Sequence, residues 1–121
     1  MPTMVRRRTA AWLDARAFDR AVGEAIDALP PEIRRWLDNV EVLVADLPTR
    51  AQLADVDLDD PLDLLGLYEG TPLTERGSAH GMVEPDRVTL FRLPILAVCR
   101  TIDEVRDEVR QTVVHEFAHH F

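Results

Sequence analysis

The residues best suited to chemistry lie at the end of the sequence, where His115, Glu116 and His119 form the pattern His-Glu-x-x-His. Successive residues of an α-helix are about 100° apart around its axis, so the two histidines of a helical segment would lie about 40° apart and one turn from each other. Two imidazoles in this arrangement can bind one tetrahedral zinc ion. The spacing therefore predicts a zinc site on one face of a helix.

Glu116 has a different role in the same pattern. It is adjacent to His115, and its direction around the helix differs from that of His119 by about 60°. From this position its carboxylate can reach a water molecule on the zinc and act as a general base without binding the metal itself. Zinc lowers the pKa of such a water toward about 7, so hydroxide is available at neutral pH. The three residues together predict hydrolytic chemistry.

The alternative interpretation is a helix end at which two histidines occur by coincidence. Residues 112–114 and 117–118 carry no formal charge. This suits a partly buried zinc helix, because a charge at these positions would have to be desolvated. The flanking residues therefore favour the metal site.

These residues need a helix to position them, and the sequence predicts one over residues 101–121. Thr101 and Glu104 match a capping box, in which two side chains satisfy main-chain N–H groups of the first turn. Apolar residues then recur at intervals of three and four, which predicts one side packed on a core. They are Ile102, Val105, Val109, Val113 and Phe117. The two histidines fall beside this stripe, where a helix at the floor of a cleft would present its ligands.

The rest of the chain is predicted to form an α+β domain. Two helices over residues 14–29 and 31–38 are separated by Pro30, and Pro31 suits the first turn of the second helix. Runs of β-branched and apolar residues bounded by turn residues predict strands. The predicted strands cover residues 40–45, 64–69 and 87–92, and short helical turns are expected at 51–54 and 94–99.

Single residues within these elements carry further predictions. Gly66 lies in the middle of a predicted strand, which indicates close approach by another main chain or by a ligand. Trp36 is expected in the core rather than at a binding surface. The single cysteine, Cys99, lies in an apolar run and is interpreted as a small buried hydrophobe in a reducing, cytoplasmic environment.

Charge and composition limit the classes of partner. The chain has 121 residues, 46% of them apolar and 30% charged, which fits one globular domain. The net charge of −8 argues against nucleic acid as a partner, and no apolar run is long enough to span a membrane. The five aspartates between Asp55 and Asp63 are interpreted as a solvated loop, since the glycine spacing of a calcium-binding EF-hand is lacking. Residues 1–13, with three consecutive arginines, are expected to form a basic, partly disordered arm before a domain over residues 14–121.

Three blocks of the sequence form a recognisable combination. They are residues 64–70 (LLGLYEG) with 72–77 (PLTERG), residues 85–92 (PDRVTLFR) and residues 113–121 (VVHEFAHHF). Their order and spacing resemble the small bacterial zincin-like metallopeptidases, sometimes called minimal zincins, and the resemblance covers roughly residues 18–121. The Leu-Gly-Leu-Tyr-x-Gly part is the more distinctive, because His-Glu-x-x-His occurs in many zinc peptidases.

The resemblance implies a zincin-like α+β fold, with a small twisted mixed sheet, backing helices and a C-terminal active-site helix beneath a cleft. It also implies that His115 and His119 are zinc ligands and that Glu116 is the catalytic glutamate. Zincins in general present an edge strand to an extended substrate, which adds to the sheet as a further strand. By this analogy the rim of the cleft is expected at Leu65, Gly66, Leu67 and Tyr68.

The third zinc ligand is where this sequence departs from the family. The family pattern continues beyond the position of Phe121 to Gly-x-x-Asp, whose aspartate is the third ligand, and catalytic zinc usually has three protein ligands. Either the domain is cut short at its C-terminus, or the third ligand comes from elsewhere. The other candidates are the Phe121 carboxylate, His120, His80 and a second copy of the chain; His80 is otherwise interpreted as an exposed loop histidine. With two evident ligands, we expect zinc occupancy of the 121-residue chain to be low.

The sequence therefore predicts a zinc-dependent peptidase that hydrolyses peptide bonds of peptide or protein substrates, with Glu116 as general base. A second hypothesis is a non-catalytic module that binds a peptide or a protein in the same cleft without turnover. A third is a folding unit whose histidines have no function. Substrate identity and oligomeric state stay open.

Overall fold

A computed structural model describes residues 11–70 and 85–120 of the chain. Five α-helices, three strands and one 3₁₀ turn make up the described part. The helices are α1 (Ala15–Asp27), α2 (Pro31–Leu37), α3 (Arg50–Asp55), α4 (Arg92–Val98) and α5 (Ile102–His120), and the strands are β1 (Val40–Ala45), β2 (Gly66–Glu69) and β3 (Asp86–Phe91). The 3₁₀ turn spans Pro61–Asp63.

The three strands form one mixed sheet in the order β1-β3-β2. β1 runs parallel to β3, with Val42 opposite Val88. β2 runs antiparallel to β3, with Tyr68 opposite the same Val88. The predicted α+β architecture with a small mixed sheet is confirmed, and β2 is an edge strand among the strands described.

The core lies mainly between one face of the sheet and the helices α1 and α5. Val88 and Leu90 of the central strand are fully buried in the same cluster as Phe18 of α1. Phe91 belongs to a second cluster with Leu53, as expected for adjacent strand residues that point to opposite faces. Both faces of the sheet are thus covered in part, and β2 lies beside α5.

Helix α5 is placed by its buried valines. Val105, Val109 and Val113 are all fully buried, as the apolar stripe predicts. The prediction was wrong for Ile102, which is 41% exposed because it lies in the first turn of the helix, beyond the residues that cover the core. The capping box is present in half: Glu104 donates its main-chain N–H to Thr101 Oγ1 at 3.1 Å, whereas its carboxylate accepts from the N–H of Arg100.

The segment before α1 contacts the domain. Trp12 donates its indole N–H to the carbonyl of Leu96 at 3.1 Å, and Arg92 donates to the carbonyl of Leu13 at 2.7 Å. Residues 12 and 13 of the predicted arm therefore pack on α4, while residues 1–10 lie outside the described part. Cys99 is 4% exposed, which agrees with its interpretation as a buried hydrophobe. Among the helices described, none combines the length and the apolar character needed to cross a bilayer.

Candidate functional site

The two signature histidines lie side by side on α5. The ring centroids of His115 and His119 are 5.5 Å apart, with an angle of 22° between the ring planes. Both side chains are exposed, although the helix that carries them is anchored by Val109 and Val113 in the core. The structure therefore brings together the two imidazoles that the spacing predicts on one helix face.

Glu116 faces the edge strand β2. Its Oε1 accepts a hydrogen bond from the main-chain N–H of Tyr68 at 3.0 Å. The Glu116 side chain is half-buried. The hydrogen bond connects α5 to β2 and fixes the position of the carboxylate. Sequence reasoning did not find this contact, because it joins residues 48 positions apart and depends on which main-chain groups of β2 face the helix.

Gly66 permits the close packing of β2 on α5. A Cβ atom at this position would lie 2.5 Å from Thr112 Cγ2 and 3.3 Å from the carbonyl oxygen of Thr89. The sequence predicted close approach by a main chain or a ligand at Gly66. A close approach is observed, but the nearest atom belongs to the side chain of Thr112 on α5, one turn before His115.

A cluster of aromatic side chains joins the last turn of α5 to the rest of the domain. Its four rings belong to Trp36, Tyr68, Phe117 and His120. The ring of Trp36 lies 5.2 Å from that of Phe117 and 6.0 Å from that of His120, and His120 lies 4.5 Å from Tyr68. The Tyr68 hydroxyl also donates to the carboxylate of Asp86. Because this group contacts α2, β2 and α5 together, it holds the His119 turn of the helix against the sheet.

Two predicted burials need correction at this point. Phe117 was predicted on the core face of α5 and Trp36 in the core, but both are half-buried. They pack against the edge of the main core and against each other. The physical reason is position: the fully buried stripe ends at Val113, and the last turn of α5 packs on side chains of α2 and of the edge strand β2, which cover it only in part.

Two cavities flank the Glu116 carboxylate. The larger, about 400 Å³, also contacts Leu65, Gly66 and His115. The smaller, about 290 Å³, also contacts Leu67, Tyr68 and His119. The structure thus places all four predicted rim residues beside Glu116, with Leu65 and Gly66 on one side and Leu67 and Tyr68 on the other.

A zinc ion at this site would find two suitable ligands. The exposed, adjacent imidazoles of His115 and His119 fit a zinc ligand pair, one helical turn apart. Within residues 11–70 and 85–120, no group of three or more His, Cys, Asp or Glu side chains is arranged to hold a metal ion. His120 is there engaged with the aromatic rings of Trp36 and Tyr68. The other candidates within the chain, His80 and the Phe121 carboxylate, lie outside the described residues.

A helix with His-Glu-x-x-His, packed beside the edge strand of a small mixed sheet, is the arrangement expected of a zincin-like fold. The family model of the zincin-like metallopeptidases matches residues 37–121. The chain belongs to this family. The match includes the whole sheet and α5, and it begins after most of α2. A search of curated proteins finds no match to the chain.

Proposed function

We propose that this chain is a zinc-dependent peptidase in which His115 and His119 bind the metal and Glu116 is the general base. Membership of the zincin-like metallopeptidase family supports the reaction class. The observation that carries the assignment of residues is local: Glu116 lies between two cavities, hydrogen-bonded to the edge strand, and adjoins the paired imidazoles.

The roles of the protein groups follow from their positions. Zinc held here would act as a Lewis acid and lower the pKa of water at the site. The Glu116 carboxylate would take up a proton and later return it to the leaving amine. The hydrogen bond from the Tyr68 N–H orients this carboxylate toward the cleft. The main-chain groups of Gly66, which face away from β3, would hold an extended peptide by pairing at the edge of β2.

The third ligand is proposed to be the aspartate of the family's Gly-x-x-Asp, at a position after Phe121. Two imidazoles alone leave a catalytic zinc short of the usual three protein ligands. We also propose a cytoplasmic location, because the single cysteine, Cys99, is buried and forms no disulfide, which suits a reducing compartment.

Substitution of Glu116 by Gln tests the mechanism. The amide keeps the shape of the side chain but cannot accept the proton, so we expect zinc content to be unchanged and peptide hydrolysis to fall about 100- to 10,000-fold. The test uses a form of the protein that holds zinc, the chain extended by the family's Gly-x-x-Asp. Zinc is measured after dialysis, and hydrolysis is followed with an internally quenched peptide mixture. Glu104→Gln, at the opposite end of the same helix, is the matched control and should retain the full rate. An unchanged rate in Glu116→Gln would exclude the peptidase mechanism and favour a non-catalytic binding module.

A further inference from the structure

The larger cavity has one wall formed by a single face of α5. Glu108, Thr112 and His115 lie at spacings of four and three residues, which places them on the same side of a helix. All three line the cavity, and residues 63–66 form the opposite wall. Its volume of about 400 Å³ falls within the range of about 300–1,000 Å³ that is usual for ligand pockets. The cavity therefore continues the proposed active site toward the start of α5.

The main chain of Gly66 faces this cavity. Leu65 accepts a hydrogen bond from Phe91 through its carbonyl, whereas Tyr68 donates its N–H away from β3 to Glu116. Hydrogen-bonded and non-hydrogen-bonded pairs alternate in antiparallel strands, so Gly66 directs its N–H and C=O to the same side as Tyr68. An extended peptide that pairs with β2 at Gly66 would thus have its side chains next to the cavity walls.

The acidic residues that line the cavity give it negative charge. Asp63 is on one wall, Glu108 is on the other, and Glu116 is at the junction with the proposed metal site. Among the described residues that line the cavity, none is an arginine or a lysine. A peptide side chain entering it would meet carboxylates from both walls.

Glu108 differs from the two aspartates near it on α5. Asp103 and Asp107 form ion pairs with Arg106 and Arg110. Glu108 has no ion pair within the described residues and accepts only a long hydrogen bond of 3.4 Å from Thr112 Oγ1. Glu108 thus lines the cavity without a counter-ion from this part of the chain.

We propose that Glu108 and Asp63 make this cavity a subsite for a positively charged side chain of the peptide substrate, arginine or lysine. The proposal rests on the proposed peptidase function and names the substrate class. A guanidinium can donate two parallel hydrogen bonds to a carboxylate, and such charge-assisted bonds are about twice as strong as neutral ones. Glu108 and Asp63 are specificity determinants in this scheme, separate from the reacting groups on His115, Glu116 and His119.

Binding of paired peptides tests the proposal without any need for turnover. Short fluorescent alanine-serine peptides each carry one arginine, and matched peptides carry citrulline, which has nearly the same shape but no charge. Fluorescence anisotropy measures their Kd on the unmodified chain without added zinc. For at least one position of the arginine we expect binding about tenfold tighter than that of the citrulline peptide. The preference should decrease when ionic strength is raised from about 0.05 M to 0.5 M.

Matched variants separate the cavity from the overall charge. Glu108→Gln should remove most of the arginine preference and leave the Kd of the citrulline peptide unchanged, which also shows that the cavity is intact. Asp107→Asn changes the net charge by the same amount at the adjacent position, and this variant should retain the preference for the arginine peptide.

Two results would overturn the proposal: equal Kd values for the arginine and citrulline peptides, including no binding of either, or an equal loss of preference in both variants. Neither result bears on the hydrolysis test of Glu116→Gln, so failure of the subsite and failure of the peptidase function are distinguishable.

Discussion

Replacement of Gly66 by alanine should destabilise the protein although it adds only one methyl group. The new Cβ would lie 2.5 Å from Thr112 Cγ2, whereas carbon atoms in optimal contact are about 3.5–4.0 Å apart. Thr112 is 8% exposed and β-branched, so its side chain has few alternative rotamers. The strand must therefore move away from α5, and the hydrogen bond from the Tyr68 N–H to Glu116 must lengthen.

The expected magnitude follows from two opposing terms. Overpacking of a tight interior site costs about 1–3 kcal/mol. Alanine gains about 0.5–1 kcal/mol over glycine in a strand, because less backbone entropy is lost on folding. The free energy of unfolding of Gly66→Ala should thus be lower than that of the unmodified protein by about 1 kcal/mol, and by about 2.5 kcal/mol at most. Urea unfolding monitored by circular dichroism measures this difference.

Two further variants make the test specific. Gly23 lies in the interior of α1, and a Cβ there would meet no atom within 4 Å. Gly23→Ala should therefore stabilise the protein by about 0.5–1 kcal/mol, the opposite sign for the same chemical change. Thr112→Ser removes the Cγ2 atom and keeps the hydroxyl, so it should recover most of the cost of Gly66→Ala in the double variant, with a coupling energy of about 1 kcal/mol.

The reasoning would be refuted by either of two outcomes. If Gly66→Ala unfolds at the same urea concentration as the unmodified protein, the strand has room that the structure does not show. If the double variant with Thr112→Ser is no more stable than the sum of the two single changes predicts, the contact with Thr112 does not set the distance between β2 and α5.

Three other predictions can be checked independently. The 121-residue chain should lose zinc on dialysis, and extension by the family's Gly-x-x-Asp should restore tight zinc binding. In the extended chain, His115→Ala or His119→Ala should abolish zinc binding. Equal, stoichiometric zinc in the 121-residue chain and the extended chain would show that the third ligand lies elsewhere. Phe117→Ala should cost about 2 kcal/mol of stability, less than the roughly 3–5 kcal/mol of a fully buried phenylalanine, because the ring is half-buried against Trp36; an unchanged unfolding free energy would remove Phe117 from the packing of α5. Burial, followed by the charges of Glu108, Glu104 and Asp107, raises the pKa of the Cys99 thiol from 9.0 to about 11, so the folded state binds this proton more tightly than the unfolded state. The stability that this proton contributes to the folded state is present below about pH 9 and is lost as pH rises through about 11. The difference in unfolding free energy between the unmodified protein and Cys99→Ala should therefore fall by roughly 3 kcal/mol over this pH range. A difference that stays constant with pH would contradict the raised pKa of Cys99.

Local sequence signals predict the helices and strands of this chain well. Helix α5 could be predicted because its valines at positions 105, 109 and 113 repeat with the helical period and its N-terminus carries a capping threonine. The strand boundaries were less accurate. The strand predicted from residue 64 begins at Gly66, and Leu64 is instead buried in the second apolar cluster, with Leu53 and Phe91. Propensity reports the tendency of a segment, whereas the residue at which pairing starts depends on its partner strand.

The arrangement of the site depends on non-local contacts and could be predicted only in part. The spacing of His115 and His119 fixes their relation to each other, since both belong to one helix. Their relation to the strand follows from the pairing of β2 with β3, which decides that the Tyr68 N–H faces Glu116. No local pattern contains this information, because a shift of register by one residue would turn a different main-chain group toward the helix.

These contacts make the Leu-Gly-Leu-Tyr segment and the His-Glu-x-x-His helix one structural unit. Gly66 lets β2 approach Thr112, and this approach brings the next outward-facing N–H, that of Tyr68, within hydrogen-bonding distance of Glu116. A histidine pair on a helix requires only a spacing of four residues, which many sequences contain. A glutamate held against the edge of a sheet requires, in addition, a strand without a side chain at the point of closest contact. For this reason the glycine-containing segment distinguishes this site better than the histidines do.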